Sequence, residues 1–172
     1  MHSPFHQPPP PLGALRHLCY RQPYPGLVDS VPAAREHFAK AAARGGLDSS
    51  VTEIALLCLS ELATNAVVHA RRRFIVTVSV RGMRQRSVRV EVHDTHEGAP
   101  AFPRSRDLAL DYLAWLDGET SGRGLAMVAV MADRGGVEWG PNGKAVWFEL
   151  RLDRPGAADS PAAEEGAATV TR

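Results

Sequence analysis

A helical segment that is apolar almost all round constrains the fold of this chain more than any other part of its sequence. The segment runs from Ser49 or Ser50, either of which can cap its first turn, to about Ala70. Its apolar residues do not keep to one stripe: they are Ile54, Leu56, Leu57, Leu59, Leu62, Val67 and Val68. Because a helix of this kind is normally buried, the other segments of the chain have to cover it.

The neighbouring segments predict short strands and further helices. Two β-branched runs flank a basic turn at Gly82, and the second alternates with period two, which predicts a hairpin with one wet face. Ser30 is the expected N-cap of an earlier helix that Gly45 and Gly46 close. In chain order the predicted elements are a strand within 15–25, a helix over 31–44, the helix over 50–70, a hairpin of 74–80 with 88–92, a helix over 124–134 ended by Gly135 and Gly136, and a hairpin of 137–139 with 145–152. Hairpins and helices that segregate in this way predict an α+β, two-layer sandwich with the helices on one face of the sheet.

The connection between residues 96 and 121 has no clear periodicity, apart from a short segment at 108–116 that is predicted to be helical. An irregular connection of this length inside a compact domain is more often a functional loop or lid than a passive link. We therefore expect it to take part in the function of the domain.

Length and composition set the class of the protein. At 172 residues the chain predicts one domain. Residues 15–153 are expected to form it, between a Pro-rich start at 1–14 and an Ala-, Gly-, Pro- and Glu-rich tail at 154–172, both expected to be disordered. A formal net charge of +1 gives no reason to expect direct binding of nucleic acid or of a membrane. Cys19 and Cys58 form no disulfide framework, and no signal peptide or uninterrupted membrane-spanning run is seen, so a cytoplasmic location is expected.

Three polar residues interrupt the apolar helix at regular spacing. Glu61, Asn65 and His69 stand four residues apart, so they lie one above the other on the same side of a helix. Burying a carboxylate and an amide is costly unless they are paired or coordinate a ligand. The stripe therefore either lines a cleft at the edge of the core or is the surface side of a half-buried helix, and spacing alone leaves both open.

Two other short segments carry binding chemistry. Asp94 ends the second strand of the first hairpin, where its carboxylate can accept a hydrogen bond from the exocyclic amine of a base or simply start a turn. Gly122-Arg123-Gly124-Leu125 stands immediately before a helix, whose free N–H groups can bind a phosphate, although such a sequence is also common in a plain flexible turn. A metal site at His93, Asp94 and His96 is a weaker alternative, since strand-end side chains point in different directions.

In order and spacing, the helix stripe, the strand-end aspartate and the glycine turn resemble the N, G1 and G2 boxes of the histidine-kinase-like (Bergerat) ATPases. Residues 60–70 and the closing run at 143–150 resemble the anti-sigma-factor serine kinase branch of that family. The resemblance covers about residues 15–152. It implies the Bergerat ATPase fold, with a mixed, mostly antiparallel sheet.

The resemblance also implies a role for each candidate residue. ATP is the implied cofactor, Asn65 the Mg²⁺ ligand, and Glu61 the catalytic base that accepts a proton from an attacking hydroxyl. Asp94 would read the adenine amino group, and the region between it and Gly122 would be the ATP lid. The remaining nucleotide-binding residues implied are His69, Gly98, Gly122, Arg123, Gly124 and Leu125.

The anti-sigma branch implies a cytoplasmic protein serine kinase that phosphorylates an anti-sigma antagonist, has a sigma factor as a further partner and forms a homodimer. One departure from the family pattern leaves a second hypothesis open. The G1 box reads Asp94-Thr95-His96 where many members have Asp-x-Gly, so the chain is alternatively an ATP-binding regulatory module with little or no kinase activity. A third hypothesis is an interaction protein whose pocket has decayed. Val68 stands where sensor histidine kinases often carry a basic residue, which argues against membership of the sensor histidine kinase branch.

Overall fold

The computed structural model describes residues 11–82, 86–98, 100–115 and 123–152. Within them the chain forms the predicted α+β sandwich, with a five-stranded sheet whose core face is covered by helices. The helices are α1 (Leu12–Leu15), α2 (Ser30–Gly45), α3 (Ser49–Asn65), α4 (Arg106–Trp115) and α5 (Gly124–Met131), with a 3₁₀ turn at Arg16–Leu18 and a π-helical turn at Ala66–Ala70. The strands are β1 (Tyr20–Tyr24), β2 (Phe74–Arg81), β3 (Ser87–Asp94), β4 (Arg134–Gly140) and β5 (Gly143–Arg151).

The start of the domain differs in detail from its prediction. Leu18, expected in the first strand, belongs to the 3₁₀ turn before β1, and its side chain is fully buried in the core. Residues 12–14 of the expected disordered start are helical in α1, whereas residues 1–10 and 154–172 lie outside the described residues. Their disorder therefore stays a prediction.

The strands follow the order β1-β2-β3-β5-β4, and every neighbouring pair is antiparallel. The two predicted hairpins are present as β2–β3 and β4–β5. The expected mixture of parallel and antiparallel pairs is not seen among the described strands, because β5 enters the sheet antiparallel to β3. The register of that pair places Asp94 directly opposite Lys144.

The core lies between α3 and one face of the sheet. Alternate residues of the central strands point into it, among them Val90 and Phe148, which are fully buried. From α3 come Leu59 and Leu62, exposed by 0% and 2%. The other side of the helix is only partly covered, and Val68 is 52% exposed. The prediction that this helix is buried all round is therefore confirmed for the side that packs on the sheet and is wrong for the opposite side.

Together α3 and its π turn, Ser49–Ala70, form a helix of 22 residues that is long and apolar enough to cross a membrane by length and composition alone. The core helix of a globular domain passes the same test, and this helix contacts α2, α5, β3 and β5. Glu61 and Asn65 interrupt its apolar residues, which is why the sequence shows no uninterrupted run. In the described part of the chain the helix packs as a core element.

Two helix starts differ from their predicted caps. Asp48, rather than Ser49 or Ser50, caps α3, because its carboxylate accepts a 2.8 Å hydrogen bond from the backbone N–H of Ser50. At the start of α2, the Ser30 hydroxyl donates to the Pro25 carbonyl at 2.7 Å. Ser30 is thus the first helical residue, tied to the preceding loop.

The last predicted helix is shorter than expected. It ends at Met131, and Gly135 and Gly136 lie in β4 rather than after a helix. Aromatic rings packed on this strand explain the choice of glycine. A Cβ atom at Gly135 would lie 2.5 Å from the Phe102 ring, and one at Gly136 would lie 3.3 Å from the Trp147 ring.

Asp48 provides a stability test with a defined pH dependence. Hydrogen bonds from Ser50 hold the pKa of Asp48 below its ordinary value. Its stabilising contribution is therefore complete above the unfolded-state pKa of about 3.9 and is lost as the pH falls through the lower folded-state pKa. We expect Asp48→Ala to lower the free energy of unfolding by about 1 kcal/mol at neutral pH, measured by urea denaturation, and the difference from wild type to shrink in acid.

Ser49→Ala is the matched control, because Ser49 was one of the two caps predicted from the sequence and is the first residue of α3. We expect it to change the free energy of unfolding by less than about 0.5 kcal/mol. Equal losses in the two variants, or a loss in Asp48→Ala that persists unchanged into strong acid, would contradict the assignment of the cap.

Candidate functional site

The polar side of α3 faces a cavity of about 590 Å³. The cavity is bounded by α3 and its π turn, the end of β3 and the segment after it, and the starts of α5 and β5. The predicted site residues that line it are Glu61, Asn65, His69, Asp94, Gly98, Arg123, Gly124 and Leu125. Gly122 lies outside the described residues. Three segments that are distant in the sequence therefore meet at one place.

The helical stripe lines this cleft instead of open surface. Glu61 and Asn65 are half-buried, and His69, near the end of the helix, is exposed. The last turn of the helix is π-helical and is followed by Arg71, whose φ of 49° is left-handed. Short π-helical turns of this kind occur frequently at functional sites.

The Glu61 carboxylate lies against the first residue of α5. A Cβ atom at Gly124 would stand 2.5 Å from Glu61 Oε2, so glycine is what lets the helix start this close to the carboxylate. The first N–H groups of α5 have no partners within the helix, and the positive end of its dipole is at the same place. Glu61 is thus held next to a helix start that favours anions.

Asp94 is held on the cavity wall by two donors. Its Oδ1 accepts hydrogen bonds from the His96 N–H at 2.8 Å and from the Lys144 ammonium at 2.7 Å. Lys144 also donates to the His96 carbonyl at 2.8 Å. Asp94 therefore starts a turn and lines the cavity at once, so the two sequence-based interpretations of this residue are compatible.

Lys144 lines the cavity although no motif in the sequence points to it as a site residue. Its position depends on strand register, because it pairs with Asp94 across β3 and β5. Gly143 precedes it with a φ of 126°, and a Cβ atom there would collide with the Asp94 carbonyl. The one signal in the sequence is that lysine is rare in this chain: among its 20 basic residues, Lys40 and Lys144 are lysines and the others are arginines.

The segment that follows β3 forms another part of the wall. The His96 ring packs on Gly98, where any Cβ atom would overlap it. The His96 ring also stacks near His69, with 6.3 Å between the ring centroids. Gly98, Pro100 and Ala101 continue along the cavity, so the described beginning of the predicted lid does border the site.

The alternative metal site at His93, Asp94 and His96 is not formed. His93 Nε2 lies 3.0 Å from Glu91 Oε2, whereas Asp94, the next residue of the strand, lines the cavity. Neighbouring strand residues point to opposite faces of a sheet, which separates the two side chains. Within the described ranges, no group of three or more His, Cys, Asp or Glu side chains is placed to hold a metal ion.

Charges on the face of the sheet turned away from the helices pair with one another. Arg89, whose side chain is 9% exposed, contacts Glu91 at 2.5 Å and Glu138 at 2.7 Å and lies 3.8 Å above the Trp147 ring. Burial of Glu91 opposes its ionisation, but the hydrogen bond and charge of Arg89 outweigh that effect and lower the pKa of Glu91. This network is separate from the cavity residues.

Comparison with known proteins settles the family. The sequence model of the histidine kinase-like ATPase domain matches residues 24–150. The chain belongs to this family. Membership confirms the resemblance seen in the three sequence segments, and it implies ATP as the ligand of the domain.

Two solved structures share the fold of this histidine kinase-like ATPase domain. The RsbU and RsbW domains of Rv1364c from Mycobacterium tuberculosis give a TM-score of 0.55 at 20% identity, over 79% of this chain and 33% of that chain. The SiaB–SiaC complex from Pseudomonas aeruginosa gives a TM-score of 0.52 at 13% identity, over 81% of this chain and 93% of that chain. This chain thus spans about a third of the length of the Rv1364c chain. No curated protein sequence matches it significantly.

Gly124→Ala tests the contact between Glu61 and α5. The added methyl group has to displace the carboxylate or the helix start, so we expect the Kd for Mg·ATP to rise about tenfold. Isothermal titration calorimetry measures the change. Gly140→Ala is the matched control, because a Cβ atom there meets nothing closer than 3.9 Å. Equal Kd values for wild type and Gly124→Ala would show that this contact does not shape the binding site.

Proposed function

We propose that this domain binds ATP with Mg²⁺ in the cavity and acts as an anti-sigma-factor-type protein serine kinase. The single observation that carries the proposal is the convergence of Glu61, Asn65, Asp94 and Gly124 on one cavity. The group offers a base, an amide oxygen, a hydrogen-bond acceptor for a nucleobase and a helix start for phosphates. A cavity of about 590 Å³ is also within the size range of small-ligand sites.

The residues present suit a Mg²⁺ ion that is bound together with the nucleotide. Asn65 is half-buried on the wall and can offer its amide oxygen. One protein ligand suffices, since Mg²⁺ usually keeps several waters and takes its other ligands from phosphates. When bound, the ion would neutralise charge on the phosphates. In this proposal Asn65 holds it.

Glu61 is the proposed general base. Its carboxylate lies beside the first residue of α5, where the phosphates would be bound. As the serine oxygen of the protein substrate forms its bond to the γ-phosphorus, the bond from that phosphorus to the ADP oxygen breaks, and Glu61 takes the serine proton. The proposed nucleotide site also includes His69, Gly98, Arg123 and Leu125, which line the cavity. It includes Gly122 as well, which lies outside the described residues.

The proposed substrate is an antagonist protein, and a sigma factor is a further proposed partner. Support comes from the two structural neighbours, one of which contains RsbU and RsbW domains and the other a complex of SiaB with SiaC. Direct binding of nucleic acid or membrane is not proposed, because the net charge is +1. A homodimer, a cytoplasmic location and a domain spanning 15–153 complete the proposal.

The second candidate function is an ATP-binding regulatory module with little or no phosphotransfer. The observation that favours it is the G1 box, which reads Asp94-Thr95-His96 where many members of the family have Asp-x-Gly. Glu61 favours the kinase, since a nucleotide sensor needs no base. The third candidate, a decayed pocket, is disfavoured by the open cavity.

Nucleotide binding is tested by calorimetry on the wild type, Asn65→Ala and Asp94→Asn. We expect micromolar to sub-millimolar binding of Mg·ATP by the wild type and a loss of about tenfold or more in each variant, because each removes a polar contact to the ligand. Asn65→Ala should lose its effect when Mg²⁺ is withheld with EDTA. Failure of the wild type to bind at millimolar ATP would leave only the decayed-pocket candidate.

Phosphotransfer is tested with γ-labelled ATP and candidate antagonist proteins. We expect Glu61→Gln to slow transfer by about 10²- to 10⁴-fold while the Kd for ATP changes little, since removal of a general base acts on the chemical step. Glu53→Gln, on the same helix and outside the cavity lining, is the matched control. Transfer at the wild-type rate by Glu61→Gln would exclude Glu61 as the base, and ATP binding without transfer to any partner would favour the regulatory module.

A further inference from the structure

The pair formed by Asp94 and Lys144 is almost completely removed from solvent. The two side chains are 6% and 5% exposed, and the Nζ–Oδ1 distance is 2.7 Å. Opposite charges buried this deeply need one another, because each alone would be left without compensation for its lost hydration. Both residues also line the cavity. The pair is therefore part of the binding surface as well as of the core.

The two oxygens of Asp94 have different surroundings. Oδ1 is occupied by Lys144 and by the His96 N–H. In the described part of the chain no hydrogen bond reaches Oδ2. A carboxylate held through one oxygen cannot rotate freely, and its other oxygen keeps a fixed direction as an acceptor.

We propose that Lys144 is a positioning residue that orients Asp94 and so determines selection of the 6-amino group of adenine. This inference rests on the proposed nucleotide site. Lys144 fixes Asp94 Oδ1, which leaves Oδ2 to accept an N–H from the base. A base without a donor at that position gains nothing from the arrangement. Preference for ATP thus depends on a residue that need not touch the amino group.

Lys144 suits this task better than an arginine. Its ammonium is a compact point charge on a flexible stem, so it fits beside Asp94 and reaches the His96 carbonyl as well. The bond to His96 also ties the segment after β3 to β5. The chain uses arginine for nearly all its other cationic positions, and its other lysine, Lys40, pairs with Glu36 on the exposed side of α2.

The first test compares ATP with purine riboside triphosphate, which lacks the 6-amino group. Calorimetry of the wild type should give a clear preference for ATP. In Lys144→Met the Kd for ATP should rise about tenfold while the Kd for the analogue stays within about twofold, because only the amino contact depends on Asp94 orientation. Lys40→Met, the matched control, should keep both Kd values. In an Asp94→Asn background, Lys144→Met should have no further effect on the preference.

A loss of folding would weaken both nucleotides alike, so the change in preference separates positioning from a purely structural role. If the wild type binds neither nucleotide, the nucleotide site and this inference are overturned together. A Lys144→Met protein that binds ATP with the full wild-type preference overturns this inference alone. Equal weakening of ATP and the analogue in folded Lys144→Met also overturns it, since the base would then not be read through Asp94.

The second test needs no variant of the site, because the chain contains only two lysines. With lysine labelled by ¹⁵N at Nζ, the ammonium groups of Lys40 and Lys144 give at most two signals, and Lys40→Met assigns them. We expect Mg·ATP to shift the Lys144 signal and to leave that of Lys40 in place, with a smaller shift from the analogue. A Lys144 signal that ATP saturation does not move would overturn the inference.

Discussion

The packing of α3 on the sheet is the interaction on which the cavity depends. Leu59 and Leu62 are buried against the strands, and burial of a leucine side chain contributes roughly 1.5–3 kcal/mol relative to full exposure. Glu61 and Asn65 belong to the same helix, so apolar packing on one side fixes where these polar side chains point. The free-energy cost of burying the Glu61 carboxylate is limited, because Glu61 lies on the side of the helix that faces the cavity. The apolar contacts of α3 thus position the polar side chains that line the cavity.

Sequence patterns predicted the parts of the fold that depend on local chemistry. The apolar helix and the alternation in the second strand of the first hairpin predicted the layers, whereas the convergence of the candidate residues was expected from the family resemblance, since the spacing of Glu61 and Asn65 alone left it open. Strand register was beyond such patterns, because it is set by contacts between segments about 50 residues apart, as in the pair of Asp94 and Lys144. Lys144 was missed for that reason. The cap of α3 was assigned one or two residues late because Asp48, Ser49 and Ser50 are all good caps.

The cavity combines features that serve stability with features that serve binding. Asp94 starts a turn, pairs with Lys144 through Oδ1 and lines the cavity, so one residue takes part in folding and in the proposed choice of base. Gly124 has no side chain where Glu61 needs space, which brings a carboxylate and a helix start together. Family membership implies ATP as the ligand, and the proposed phosphotransfer assigns the roles of base and phosphate site to these two groups.

In the proposed complex one nucleotide occupies the cavity, with its base at Asp94 and its phosphates between Asn65 and the start of α5. A crystal structure of the chain with Mg²⁺ and a non-hydrolysable ATP analogue tests this arrangement. We expect the 6-amino group within hydrogen-bond distance of Asp94 Oδ2 and the metal on the Asn65 amide oxygen. Nucleotide density elsewhere on the molecule, with the cavity holding only water, would contradict it.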